Sequence, residues 1–451
     1  MQTKKDHVHA YRFASHRMIH ALVTGDTGAG ESPMRRPVFG TVMGVLLAAL
    51  LCGGFTVFGF VSPGGNTSWR KPGSVVLEKE TGSRYVYLDG VLHPVGDYAS
   101  ALLAASATAG GQKPVLRSVS RSSLAGVPRG ARIGIPGAPD SLPGPGSLLP
   151  GSWARCLRQS GAGEVLDLAP ANTMRPLPAD RLVLLAAPGG RQYVLWHGVV
   201  HPVAGRYVLV ALGLGDREPL QAATAWLKSL PAGPALAAAT IPGDGSRGFS
   251  VGGAVSTVGQ TFSASRGAER PAQRYVLRAD GLAPISETEY ALFTARPGHP
   301  RPRQVGVGDI AAAPASADRG LLHRIPDLVF GKALDSAGSA LCLRQRSEGT
   351  TVRTAVALAD HPATGGRVKV PVGAGVLAAS LPLPSGAGMS AAYYLINDQG
   401  VKYPLADDGS LRALGFDTAQ ACGVPKSVLD LLPVGPTLSA AAATTVITAG
   451  R

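Results

Sequence analysis

The chain has 451 residues, 45% of them hydrophobic and 16% charged, with a formal net charge of +14 at pH 7. That hydrophobic share excludes general disorder, and the length exceeds what one hydrophobic core usually organises. A basic surplus can mean nucleic acid, but a membrane segment near the N-terminus puts most of this charge where no nucleic acid is expected.

In chain order, residues 1–37 carry Lys4, Lys5, Arg12, Arg17, Arg35 and Arg36 against Asp6, Asp26 and Glu31. Val8 to Val23 predicts a short amphipathic helix: Tyr11, Met18 and Leu22 fall near i, i+7 and i+11, with Arg12, His16 and Arg17 on other faces. Thr24-Gly25-Asp26-Thr27-Gly28 ends it, and a Gly/Ser/Pro joint follows. A basic helix of this kind can lie on acidic lipid or dock a cytoplasmic partner, and the sequence does not separate the two.

Val38 to Val61 contains no Asp, Glu, Lys, Arg or His. At ~1.5 Å per residue, a helix of that length crosses a hydrocarbon core of ~30 Å. A cleaved signal peptide fits poorly, because the run is long and 37 residues precede it. Gly40 and Gly44 form a small-xxx-small pair that can seat another helix, although glycines facing only lipid fit equally. Arg35 and Arg36 abut one end and Ser62-Pro63-Gly64-Gly65 opens the other. The positive-inside rule therefore predicts a single-pass plasma-membrane protein with a cytoplasmic N-terminus and residues 62–451 extracytoplasmic. Six cations against three anions in the arm leave +11 for that body. Anionic wall polymer, lipid headgroups or unspecific basicity would each account for it.

Beyond the span the chain repeats itself. Arg84-Tyr85-Val86-Tyr87-Leu88-Asp89-Gly90-Val91-Leu92-His93-Pro94-Val95 returns as Gln192-Tyr193-Val194-Leu195-Trp196-His197-Gly198-Val199-Val200-His201-Pro202-Val203. Looser copies start at Arg274-Tyr275 and Tyr393-Tyr394. Each predicts two short strands joined at a turn. In three copies an Ala/Leu-rich helical stretch follows, at Tyr98–Ala107, Glu289–Ala295 and Ser410–Gly415. A second duplication, Ile135-Pro136 then Cys156-Leu157-Arg158-Gln159 and Ile325-Pro326 then Cys342-Leu343-Arg344-Gln345, divides the body into two halves. The expected organisation is arm 1–37, span 38–61, repeat domains 62–125, 186–245, 246–312 and 373–428, core segments 126–185 and 313–372, and a C-terminal core segment and tail 429–451. The fold class is α+β: one transmembrane helix, then a β-rich, pseudo-two-fold body with a shared core.

Cys156 and Cys342 hold equivalent places, so two-fold packing would bring them together, and an oxidising compartment would let them pair. Two buried free thiols are the alternative. Cys52 lies in the span, Cys422 in a turn, and neither state is readable.

No catalytic constellation stands out. Gly243-Asp244-Gly245-Ser246-Arg247-Gly248 matches G-x-G-x-x-G, but Pro242 precedes it and no helix pattern follows. Gly248-Phe249-Ser250-Val251-Gly252 matches G-x-S-x-G, but it reads as a loop entering a strand rather than a nucleophile elbow. Gly331-Lys332 is followed by Ala333, with Pro326 where a Walker A loop begins with Gly, so ATP has no visible seat. His93 and His201 share a position filled elsewhere by Ala283 and Tyr403, which favours packing over ligation. No catalytic residue, cofactor or metal ligand is assigned.

Tyr11-Arg12-Phe13, Arg17-Met18, His20-Ala21-Leu22-Val23 and Gly25-Asp26, then Pro33-Met34-Arg35-Arg36 and one membrane helix, closely resemble the start of EccB. EccB is the single-pass membrane subunit of the actinobacterial type VII (ESX) secretion apparatus. The resemblance continues through the first repeat, Ile135-Pro136, Pro139-Asp140, Trp153, Cys156, Cys342 and Leu431-Leu432-Pro433, covering nearly the whole chain. It implies a core plus four repeat domains in an elongated, propeller-like, quasi-two-fold arrangement, with one disulfide mapping onto Cys156 and Cys342. It also implies multiple copies assembled with EccC, an FtsK-like motor ATPase, with EccD and in some systems EccE, and a mycosin protease docking outside. The cargo would be small helical Trp-x-Gly-type proteins. Family repeats resemble a phage-lysin wall-binding module, and members have been labelled ATPases. The sequence therefore reads as a non-enzymatic scaffold of the secretion machine. An anchored wall-binding module and an ATP hydrolase are the alternatives.

Overall fold

The structure is a computed structural model in which residues 4–25, 35–61, 67–109, 113–159, 163–171, 173–265, 272–335, 338–384 and 391–448 are described. The chain separates into two units, Met1–Thr67 and Ser68–Arg451.

In the first unit, helix α1 spans Lys4–Thr24, starting a turn before the expected Val8. Gly25, at φ +68°, donates its N–H to the Ala21 carbonyl at 3.1 Å and closes the last turn. Tyr11 and Leu22 are 76% and 80% exposed, so no described residue of the unit covers the apolar side of α1. Helix α2 spans Arg35–Val61, and its stretch Val38–Val57, with mean hydropathy 2.2, is long and apolar enough to cross a membrane. The expected joint at 26–34 and the flank 62–66 lie outside the described residues.

Among the described residues the second unit holds four small sheets, a two-stranded pair and a six-stranded sheet, and none of these closes on itself. Sheet one pairs Ser74–Glu78 with Arg84–Leu88, that strand with Val91–Val95, and the leading strand in parallel with Val115–Val119. Sheets two, three and four lead with Arg181–Ala186, Thr261–Ala264 and Val376–Leu381 and have the same order on their main path. The sequence shows only the hairpin of each. At Asp89-Gly90 and His197-Gly198 both turn residues have φ between +48° and +85°, the mirror-image turn that suits a two-residue hairpin. Helices α3 (Tyr98–Ser106), α4 (Arg206–Ala211), α5 (Glu287–Ala295) and α6 (Asp408–Ala413) follow the hairpins. Asp97, Ser286 and Asp407 cap α3, α5 and α6 by accepting backbone N–H bonds of 2.6–3.2 Å. Gly205 gives α4 no side-chain cap, and the sequence marks no stretch for the helical piece of this unit.

Strand Arg181–Ala186 pairs with Gln192–Trp196, so the 185/186 boundary falls inside sheet two. Of the expected C-terminal core segment 429–451, Leu432 packs with Trp153 and Leu166, whereas Leu438 and Ala443 join the core shared by sheets one and four. Ile133 bridges Val446, bringing the end of the described chain back to sheet one. Sheets two and three meet through a separate core in which Val208 of α4 packs with Leu292 of α5.

Candidate functional site: the disulfide-centred sheet and its straps

The six-stranded sheet runs Val368–Lys369, Glu164–Asp167, Ser152–Leu157, Ala340–Glu348, Thr351–Ala359, Arg175–Pro176. Its middle strands are the duplicated Cys-Leu-Arg-Gln segments. They pair antiparallel with Cys156 opposite Cys342 and Ala154 opposite Arg344. Arg344 is the duplicate of Arg158 just as Ala154 is of Ala340, so the register is symmetric about the two cysteines, which form an S–S bond in the structure. Each half also lends backbone to the other. Lys332 and Leu334 donate N–H bonds of 2.7 and 2.8 Å to Asp180 and Leu182 at the head of sheet two. Leu149 donates to Gly375 at 2.8 Å, and Gly375 donates to Ser147 at 3.2 Å, at the head of sheet four.

Side chains then fasten this sheet to its neighbours. Arg155, fully buried, meets both carboxylate oxygens of Glu164 at 2.7 and 2.9 Å and donates to the Ser229 hydroxyl at 2.9 Å. Trp226 Nε1 returns a 3.1 Å bond to the Arg155 carbonyl. Two residues before Arg155 on the same strand, Trp153 Nε1 donates to Gln345 Oε1 at 2.8 Å, and Gln345 Nε2 donates to Thr354. These groups are satisfied and inward-facing, which suits rigidity rather than turnover. Burial also pushes the Cys422 thiol up to about 11, leaving little nucleophilic thiolate near neutral pH.

A second fourfold feature was missed in the sequence. After each small sheet a Pro-containing strap runs back along the hairpin. Leu92, Val200, Leu282 and Lys402 donate N–H bonds to Pro128, Pro231, Pro314 and Pro433 at 2.7–2.9 Å. They accept in return from Gly130, Gly233, Ser316 and Gly435 at 2.9–3.0 Å. A Cβ at Gly130, Gly233 or Gly435 would collide with the ring of His93, His201 or Tyr403, respectively. The third unit has Ala283 at the ring position and carries Ser316 instead of glycine. His93 and His201 each direct Nδ1 at a strap carbonyl, Ala131 or Pro234, at 3.0 Å. Burial of His201 holds its imidazole below the usual histidine range. The recurring Pro-x-Gly or Pro-x-Ser signal, read beside His/Tyr/Ala, was the available clue.

The motif matches acquire definite places. Arg247–Val251 is a strand rather than the expected loop, and Gly252-Gly253 turns it into strand Ala254–Thr257, so Ser250 lies mid-strand and exposed. Lys332 lies in a two-residue strand beside Arg181. Among the described residues no cluster of three or more His, Cys, Asp or Glu is placed to hold a metal. A cavity of about 190 Å³ next to Cys156 is lined by Asp167, Met174, His361 and Lys369, with Asp360 at its wall tied to Arg175 at 3.1 Å.

Among the described residues, one helix long and apolar enough to cross a membrane precedes a β-rich body whose central strands carry the paired cysteines, the outline of a membrane-anchored component. The family profile described as "Type VII secretion system ESX-1, transport TM domain B" matches residues 1–448, and the chain belongs to this EccB family of type VII secretion membrane components. It is 28% identical to a protein named ESX-3 secretion system ATPase EccB3 of Mycolicibacterium smegmatis, covering 96% of this chain and 88% of the relative. It matches a chain of an intact ESX-5 inner membrane complex with TM-score 0.60 at 22% identity, over 100% of this chain and 96% of that one. It also matches a chain of the EccB3 dimer from the ESX-3 core complex with TM-score 0.58 at 27% identity, over 82% and 99%.

Proposed function

We propose that this protein is a non-catalytic scaffold of the type VII secretion machine. The family match along residues 1–448 carries the proposal, and the disulfide-centred sheet supports it physically. The arm and α2 anchor the chain to an EccC-type FtsK-like ATPase, to EccD and, where present, EccE, with the N-terminus cytoplasmic. The body stands outside the membrane as four repeat domains about a quasi-two-fold core, joined by the Cys156–Cys342 bond, packs against sister copies and receives a mycosin protease. Relatives described as an inner membrane complex and as a dimer support the oligomer and the assembly. A relative's name includes ATPase; the strand pairing of Lys332, beside the nearest approach to a Walker motif, favours the scaffold reading.

Export of small helical Trp-x-Gly proteins in a host lacking the native copy tests this. Complementation by a Lys332→Ala chain at the wild-type level supports the scaffold. Lost export with an assembled complex contradicts it.

A further inference from the structure

We propose that sheet one is a docking face for acidic phospholipid headgroups. The inference goes beyond the scaffold role and rests on α2 crossing a membrane. Residues 68–134 hold nine Lys or Arg against four Asp or Glu, a net +5. Two of the four acids, Glu78 and Asp97, are buried. Residues 376–441, around sheet four, hold three against five, a net −2. Residues 135–375 carry +7 over 241 residues, so the net positive charge per residue is highest in the part of the body that follows the span. Ser68 lies seven residues after Val61, at most about 25 Å of extended chain. A chain of that reach lets the basic face come within the ~8 Å Debye length over which anionic headgroups attract it at physiological salt.

The cations form a face. Val75 and Val86 turn to α3, whereas Val76, Tyr85 and Val119 form the opposite layer with Trp69. On that layer Arg70 stacks over Trp69 at 5.3 Å and Arg129 over Tyr85 at 5.2 Å. Arg117 is in register with Val76, so it joins the same face from the edge strand Val115–Val119. Val115, two residues before Arg117 and so on the same face, is 45% exposed, and Lys71 is also exposed. Arg121 completes the rim and is already matched by Glu78 at 2.8 Å. Exposed guanidinium groups, seated on the buried rings of Trp69 and Tyr85 and flanked by the exposed Val115, match the anionic outer part of a headgroup layer.

The test uses the full chain in lipid nanodiscs of phosphatidylcholine, with or without phosphatidylglycerol, and backbone hydrogen exchange read by mass spectrometry. Anionic discs should slow exchange across residues 67–88 and 115–121 several-fold while sheet four is unchanged. High salt should erase the difference, as should the triple variant Arg70→Ser, Lys71→Ser, Arg117→Ser, whose exchange elsewhere should stay native. Equal exchange in both discs would overturn the inference, as would slowing that includes sheet four equally. Protection on adding a soluble polyanion but not with anionic lipid would reassign the face to wall polymer. Failure of the chain to co-elute with discs would remove the span and the inference with it.

Discussion

His201 and Gly233 show how one side chain can set another's identity. The ring occupies the space of the missing Cβ, and the third unit reaches the same end with Ala283 and Ser316, whose hydroxyl donates to Asp280 at 2.9 Å. Gly233→Ser alone should cost about 1–3 kcal/mol by overpacking. His201→Ala alone should cost a comparable amount by leaving a hole. The double variant should recover part of both, a coupling of roughly 0.5–3 kcal/mol readable by denaturant unfolding. Strict additivity would contradict the size exchange. His201 also predicts a pH effect. Its folded pKa lies below the unfolded value, so the unfolded chain binds the proton more readily and stability falls as pH drops through about 6.5. His201→Gln should flatten that decline relative to wild type in thermal melts at successive pH values.

At the scale of elements, the hairpins were legible because alternating aromatic and β-branched residues meet Asp-Gly or His-Gly turns. The flanking strands were less so. The parallel trailing strands are short, only Leu220–Gln221 in sheet two and Arg303–Val305 in sheet three, and they carry no periodicity. Helix α4 was hidden for a different reason: Arg206-Tyr207-Val208-Leu209-Val210 has strand-like composition, lacks a side-chain cap, and is helical through packing of Val208 and Leu209. The ion pair of Arg155 was also unreadable, since a charge within Trp153–Leu157 gives no hint of Glu164 on the adjacent strand. Glu164→Gln should destabilise by about 3–5 kcal/mol, because Arg155 would stay buried without its counter-ion. Arg155→Met combined with Glu164→Gln should cost less. An equal or larger loss in the double variant, measured by unfolding, would show that the pair is not what the site requires. Helix α1 has apolar residues exposed along its length, so deleting residues 1–33 should leave the body folded and abolish co-purification with the membrane partners. Unchanged co-purification would contradict its role as a contact.

For the whole molecule, the duplicated cysteine segments were the most informative signal in the sequence, because equivalent strands of a two-halved chain pair naturally across an axis. The antiparallel register about Cys156 and Cys342 and the backbone lent by each half to the other support that reading. Non-reducing peptide mapping should recover a Cys156–Cys342 peptide; free thiols at both positions would contradict the two-fold account. What the sequence left unreadable at this scale was the route of the straps, since a Pro-x-Gly segment reads as a loop until its partner hairpin is known.

The central claim is that this chain works as part of a membrane machine and not as an isolated enzyme. Mild-detergent extraction from native membranes, a native gel and identification of co-migrating proteins test it directly. The account predicts a megadalton-range band containing an FtsK-like ATPase. A monomer or dimer free of such a partner would contradict it.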